Sequence, residues 1–228
     1  MKTNRLLIVG ANSDLIQPLF AMARSSNVEL LPLRRQDWDL GECIPPKEVI
    51  KNIQSFSPNH LLYAAGINNI HQFHVNPVQS LQEVTHHFVV NCLSFLSVVS
   101  HLNSCLANKL ISIHVLSSLY GVYGRRTRLP YSVSKHALEG AVKCLATELP
   151  TTLVLAYRPG FFATKLTNKN ISIENQERLM QRIPAARLGQ PAELSSVILR
   201  NILDPPFYAT GTAITMDGGL TSGGIFQL

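Results

Sequence analysis

The chain has 228 residues, 46% of them hydrophobic, enough for one α/β domain (1–228) with a full core. No Pro/Gly/Ser-rich linker, low-complexity run or internal repeat divides it. The net charge of +6 is not gathered into a tail, which argues against a nucleic-acid arm and suits anionic small ligands or an acidic partner. The cysteines Cys43, Cys92, Cys105 and Cys144 lack metal-ligand spacing, so no metal site is expected. Three of them fall in apolar helical stretches as small core residues, and a reducing cytosol fits. The opening Met-Lys-Thr-Asn-Arg, followed by only five apolar or small residues, is short for a signal peptide. No apolar run reaches the length of a membrane span, so the expectation is a cytoplasmic protein with neither membrane nor nucleic acid as partner.

Arg5–Val9 reads as a short apolar strand of the kind buried on both faces. The turn Gly10-Ala-Asn-Ser-Asp14 follows, then a helix over 14–25, a strand over Val28–Leu33 and a short helix over Pro45–Ser55 opened by prolines. A third apolar strand, His60–Ala64, ends in Ala65-Gly66. A long helix spans 78–103, with a break expected near its start. Segment 110–116 is a strand that ends in the hydroxyls of Ser117 and Ser118. After it come a helix over 131–148, a strand over Thr152–Tyr157, a polar loop beyond Pro159-Gly160, helices near 173–183 and 191–202, and a last strand, Thr212–Met216. Strands alternating with helices imply a parallel sheet covered on both faces. Right-handed crossovers make it a doubly wound Rossmann-type domain, expected to be a mostly parallel seven-stranded sheet.

Tyr131-Ser-Val-Ser-Lys135 carries the chemistry. Residues four apart share one helix face. A cation beside a phenol favours the phenolate and lowers its pKa, so Tyr131 could exchange a proton with a carbonyl or alcohol oxygen near neutral pH. Ser118, at a strand's C-terminal end where open α/β sheets bind ligands, could hold that oxygen. An isolated Tyr-x-x-x-Lys is more often an exposed Tyr beside a solvated Lys; the strand before it and the helix around it make the catalytic reading the stronger one. Arg34 and Arg35 follow the second strand, and no Asp or Glu ends it. In Rossmann enzymes an acidic residue here binds the ribose of NAD and Arg accommodates the 2′-phosphate of NADP, so NADP(H) is preferred over NAD(H), with Arg34 the first clamp and Arg35 the second.

Six segments, in order, resemble the short-chain dehydrogenase/reductase family over essentially the whole chain. They are the turn at 9–16; Ala64-Ala65-Gly66; Asn91; Ser118 with Tyr131 and Lys135; Pro159-Gly160-x-x-x-Thr164; and Gly211-x-x-Ile214-x-x-Asp217-Gly218-Gly219. The resemblance implies a nicotinamide cofactor and an Asn91-Ser118-Tyr131-Lys135 site. In it Tyr131 is the general acid of reduction, and Lys135 bonds the nicotinamide ribose. Ser118 polarises the substrate oxygen, and Asn91 holds a water that links Lys135 to solvent. The thirteen-residue offset to Tyr131 favours Ser118 over Ser117, which is read as structural. Asp39-Leu40 resembles the family's adenine-contacting pair. Pro159 and Gly160 would turn beneath the nicotinamide, with Phe162 backbone and the Thr164 hydroxyl beside it, and about 161–190 would be a mobile substrate lid. The family also implies homodimers or homotetramers built on the helices 78–103 and 131–148.

The dinucleotide turn departs from the family's Thr-Gly-x-x-x-Gly-x-Gly. Val9-Gly10-Ala-Asn-Ser-Asp14-Leu15-Ile16 keeps only the first glycine. A carboxylate at Asp14 competes with phosphate, and Ile16 adds bulk where helix and sheet meet. Asn12 and Ser13 still offer donors. Arg125, Arg126 and Arg128 lie between Ser118 and Tyr131 and are expected to rim the mouth. There they could steer an anionic substrate or an acidic carrier protein, against an equally weighted reading as a solvated basic loop. His71, Phe73 and His74 are candidates for the same mouth, with no fixed position. His86, His87 and His101 are read as surface or interface residues. The expected function is NADP(H)-dependent hydride transfer to a carbonyl or from an alcohol, ketoreductase-like. The alternatives are a cofactor-sensing scaffold with little catalysis and a nucleotide-sugar-modifying relative.

Overall fold

The computed structural model describes residues 3–73, 75–106 and 110–222. Met1 and Lys2 of the N-terminal stretch, and His74 of the candidate mouth, lie outside the described residues. Six parallel strands form one sheet in the order β2-β1-β3-β4-β5-β6. They are β1 (Arg5–Val9), β2 (Glu29–Leu33), β3 (His60–Tyr63), β4 (Ser112–Leu116), β5 (Leu153–Pro159) and β6 (Ala213–Met216). Period-two alternation divides the core. Leu7, Val9, Leu61, Tyr63, Ile113 and Val115 face one layer with α2 (Lys47–Phe56), α4 (Ser94–Cys105) and α5 (Leu129–Glu148). Leu6, Ile8, Leu62, Leu155 and Tyr157 face the other with α1 (Gln17–Ser25) and α8 (Pro191–Leu203). Helices on both faces make it doubly wound.

The sheet has six strands among the described residues, not seven. Residues 34–59 hold a loop, a 3-10 turn at Leu40–Glu42 and α2, with no second apolar run to pair outside β2. β2 is therefore an edge. It carries Pro32, which cannot donate into a further ladder, and so suits an edge.

Two helices depart from expectation in ways that matter for the site. The first helix opens with a 3-10 turn at Asp14–Ile16 and becomes α-helical only at Gln17, beside Pro18, which has no backbone N–H to leave unpaired. The long helix is unbroken at its start. Instead α3 (Pro77–Phe88) runs into a π-helical turn at Val89–Leu93 and on into α4. A π turn inserts one residue into the ladder and often marks a functional position; this one contains Asn91. Contrary to the sequence expectation, Pro77–Cys105 is long and apolar enough to cross a membrane by length and composition. In the fold its apolar side is spent on the core: Phe95, Val98, Val99 and Leu102 are buried against the sheet. Of the cysteines only Cys92 is buried, and Cys144 is exposed.

A polar chain crosses the α1/α8 face of the sheet. The Asn4 side chain meets His60 Nε2 (3.1 Å), and His60 Nδ1 meets Ser112 Oγ (2.7 Å). Ser112 meets His114 Nε2 (2.7 Å), His114 Nδ1 meets the Tyr157 hydroxyl (2.9 Å), and Asn201 donates to that hydroxyl (3.0 Å). Burial lowers the pKa of His60 to about 4 and that of His114 to about 3, the latter also through His60. The folded state thus keeps both neutral while the unfolded chain protonates them near 6.5. The unfolded state binds more protons in that window, so stability is full above about pH 6.5 and falls as pH drops toward 4. The midpoint of urea unfolding, followed by circular dichroism, is expected to fall steeply between pH 7 and 4.5. A flat profile would show that these histidines are not buried neutral.

Candidate active site

A cavity of about 810 Å³ opens at the C-terminal ends of β1, β3, β4 and β5, where the crossovers reverse direction between β1 and β3. From α5, Tyr131 reaches its lining. Pro130 sits in the helix's first turn, so Tyr131 stands at its N-terminal end, next to the end of β4. Tyr131, Lys135 and Glu139 follow at i, i+4 and i+8 on one face.

Lys135 is 2% exposed, and its Nζ donates to the Leu116 carbonyl at the end of β4 (2.7 Å). Nζ lies 5.7 Å from the Tyr131 ring centroid. Burial brings its pKa down to about 8, against the pull of Cys92 and Glu139. Asn91, fully buried on the π turn, is held by three bonds: Oδ1 accepts from Ile67 N (2.8 Å), and Nδ2 donates to Ile67 O (3.1 Å) and Ser134 Oγ (2.8 Å). A Cβ on Gly66 would stand 3.2 Å from Asn91 Oδ1 and 3.4 Å from Lys135 Nζ, so the two groups converge beside this glycine and a side chain there would crowd them.

The phenol differs from expectation in one respect. Burial pushes the Tyr131 pKa up to about 12, the Ser118 hydroxyl pulls it back, the Tyr120 phenol raises it and Arg128 lowers it. Lys135, bonded to Leu116, is not among the groups that shift it. Tyr131 is therefore held in its proton-donating form. Ser118 Oγ accepts from Tyr120 N (3.2 Å) and caps the 3-10 turn Leu119–Gly121. Ser117 instead donates to Glu139 Oε1 (2.6 Å).

The other end of the cavity is lined by Gly10, Asn12, Ser13, Asp14, Leu15, Arg34, Arg35, Asp39, Leu40, Ala64, Ala65 and Gly66. Gly10 has φ +83°, and a Cβ there would lie 2.5 Å from Ala65 N, so the surviving glycine is needed on both counts. Ile16 is fully buried in the α1/α8 layer, because the 3-10 turn displaces the helix start and leaves it room. The Asp14 carboxylate accepts from the backbone N–H of Lys165 (3.1 Å). Neither Arg34 nor Arg35 has an ion pair among the described residues. Trp38, which sequence reasoning passed over, also lines this end; its indole N–H is sealed within the protein and has no hydrogen-bond partner among the described residues. Free guanidiniums and a glycine cradle suit a phosphorylated dinucleotide. Asp39 is engaged locally, its Oδ1 accepting from Gly41 N (3.0 Å).

Pro159, Gly160, Phe162 and Thr164 complete the wall. A Cβ on Gly160 would lie 2.7 Å from Asp217 Cβ, so this glycine lets the turn cross Asp217-Gly218-Gly219. The loop expected after Thr164 contains a short helix, α6 (Lys165–Asn170), capped by Thr164, and then α7 (Ile173–Arg182). Of the mouth arginines, Arg125 and Arg128 line the cavity; Arg126 is exposed and does not. His71 bonds Ser80 (2.8 Å), outside the cavity lining; His86 lines the cavity; and His87, read as a surface residue, is fully buried.

Sequence reasoning also missed Glu139 and Arg158. Arg158 Nε and Nη2 bond Glu139 Oε1 and Oε2 (2.8 and 2.5 Å), so one buried carboxylate joins α5, the end of β4 through Ser117, and β5 just before Pro159. Only the i+8 spacing from Tyr131 hinted at it. Removing one partner of a buried pair strands the other, so Glu139→Gln is expected to lower stability by about 3 kcal/mol in denaturant unfolding, with a loss under 1 kcal/mol refuting the clamp.

A family model described as Enoyl-(Acyl carrier protein) reductase matches residues 57–221. The chain belongs to the short-chain dehydrogenase/reductase family. It is 39% identical over 111 residues to the 3-oxoacyl-[acyl-carrier-protein] reductase FabG of Thermotoga maritima, a match covering 48% of this chain and 45% of that one. A tropinone reductase homolog of Arabidopsis thaliana is 31% identical over 158 residues, 66% of this chain and 60% of that one. The chain spans about half the length of the curated relatives it matches. In fold it is similar to the aldohexose dehydrogenase of Thermoplasma acidophilum (TM-score 0.86, 20% identity, 97% and 95% coverage). It is likewise similar to a Beutenbergia cavernae protein described as a putative NAD(P) dependent gluconate 5-dehydrogenase with bound NADP at low occupancy (TM-score 0.84, 20% identity, 98% of both chains).

Proposed function

We propose that this chain is a cytoplasmic NADP(H)-dependent oxidoreductase that transfers hydride between nicotinamide and a carbonyl or alcohol. Its substrate is anionic or borne on an acidic carrier protein, and it acts as a homodimer or homotetramer built on α3–α4 and α5. The observation that carries the reading is the meeting of Tyr131 and Ser118 in one cavity with Arg34 and Arg35, over the buried Lys135 and Asn91. The names of the FabG relatives support a ketoreductase, and the basic mouth supports the anion.

The nicotinamide cofactor supplies the hydride when bound. Ser118 holds the substrate oxygen, and Tyr131 gives it a proton as the carbonyl carbon is reduced. Positioned proton transfer of this kind is worth about 10²–10⁴-fold. Lys135 bonds the cofactor ribose, and Asn91 links Lys135 to solvent through water. Arg34 and Arg35 take the 2′-phosphate, and Asp39 with Leu40 the adenine. Residues 161–190 close over the site and exclude water. In the reverse direction Tyr131 must first lose its proton, which its raised pKa resists, so neutral pH favours reduction.

Titration with NADPH and NADH, followed by fluorescence, is the first test; binding of neither would end the enzyme reading. With NADPH bound, Tyr131→Phe is expected to lower carbonyl reduction at least about 10²-fold. Reduction by the native protein should be level up to about pH 8, while alcohol oxidation climbs with pH as Tyr131 ionises. Undiminished turnover in the phenylalanine variant would refute the role of Tyr131. Exchanging Arg34 and Arg35 for Ala should raise the KM for NADPH about tenfold or more and hardly change that for NADH. Equal effects would reject the 2′-phosphate clamp.

A further inference from the structure

Arg128 stands three residues before Tyr131 and forms the inner wall of the cavity. Its Nη1 donates to Asn68 O (2.8 Å) and Asn68 Oδ1 (2.9 Å), which fixes the plane of the guanidinium. Its Nε and Nη2 have no hydrogen-bond partner among the described residues, and the side chain that carries them lines the cavity. Arg125 stands beside it, bonded to the Tyr120 hydroxyl and 5.7 Å from the centre of that ring. The Tyr120 ring meets Tyr131 edge-on at 6.1 Å. Two guanidiniums and a phenol thus make one continuous wall that ends at the proton donor. Neither arginine has an Asp or Glu partner among the described residues. Burial, and then Arg125, both push the Arg128 pKa down, as for a cation that lacks its counter-ion.

We propose that Arg128 determines substrate specificity by taking the carboxylate of a short oxo acid, through the free edge of its guanidinium, while the ketone lies at Tyr131 and Ser118. A planar fork with two idle donors matches a carboxylate in a way that a point charge does not. The inference rests on the reductase reading above and narrows it. The charges of a carrier arm lie many bonds from the reacting carbonyl, so they fall outside the reach of a residue one turn from Tyr131. The step balances simply. Hydride from the reduced nicotinamide adds to the ketone carbon, the C=O becomes C–OH with the Tyr131 proton, the nicotinamide is oxidised, and the carboxylate is unchanged.

The test uses 2-oxobutanoate and acetoacetate, their six-carbon homologues, and the methyl ester of each, with NADPH. The native protein is expected to prefer acid over ester in kcat/KM by about tenfold or more. Arg128→Gln should lower acid turnover about a hundredfold and ester turnover less than tenfold, which erases the preference. Arg128→Lys keeps the charge and loses the fork, so it should retain part of the preference. Thermal unfolding of both variants checks that Asn68 and its loop still fold. Esters reduced as well as acids by the native protein, or equal losses for both in Arg128→Gln, would overturn the proposal. Calorimetric titration of the same acids in the presence of NADPH separates this inference from the reductase reading. Binding to the native protein that is lost in Arg128→Gln supports the carboxylate site even where no ketone turns over, and absence of binding by every acid rejects it. Failure of every acid, ester and neutral ketone to turn over counts against the reductase reading alone.

Discussion

The buried ammonium of Lys135 on the carbonyl of Leu116 is the contact on which the site depends. Among the described residues, Leu116 O is its one hydrogen-bond partner. A cation nearly sealed from water is tolerable only with a fixed partner, and this one is the last residue of a central strand. The bond fixes how far α5 slides along the sheet, and so fixes Tyr131 one turn away. Glu139, one turn the other way, repeats the device by joining Ser117 and Arg158 to the same helix face. Two strand ends, those of β4 and β5, are tied to one helix by charge-assisted bonds, and the hydroxyl of Ser118 is positioned as a consequence.

The eroded glycine turn is reconciled by a local change of helix geometry. A 3-10 turn moves the start of α1 along the chain, so Ile16 fills the α1/α8 layer where a third glycine would have allowed close packing. Asp14 turns its carboxylate to the backbone N–H of Lys165. The retained Gly10 bears the constraint that cannot be moved, because Ala65 leaves no space for a Cβ.

Some of this was legible in the residues. Apolar strands of four to seven residues between helical stretches declare a parallel sheet, and the Tyr131–Lys135 spacing declares a shared face. The expected seventh strand had no segment of its own among the six strands read from the sequence, and residues 34–59 contain no apolar run to make it. The π turn was invisible, because its extra residue follows from the packing of Asn91 against Ile67 and Ser134, not from any local signal. The Tyr131 pKa was misjudged for the same kind of reason. Spacing placed a cation one turn away, but burial outweighs it, and the cation is occupied by a strand carbonyl.

By itself the sequence determined the doubly wound architecture, the shared helix face of Tyr131 and Lys135 and the arginine pair that follows β2, since each follows from periodicity or from short spacings along the chain. Only the tertiary structure decided which polar groups meet. Glu139 and Arg158 are nineteen residues apart, Asn68 and Arg128 sixty, Asp14 and Lys165 one hundred and fifty-one. Hydrogen bonds act over about 3 Å and need both partners in place. That placement is set by how the two helical layers close on the sheet, which no local pattern in the chain encodes.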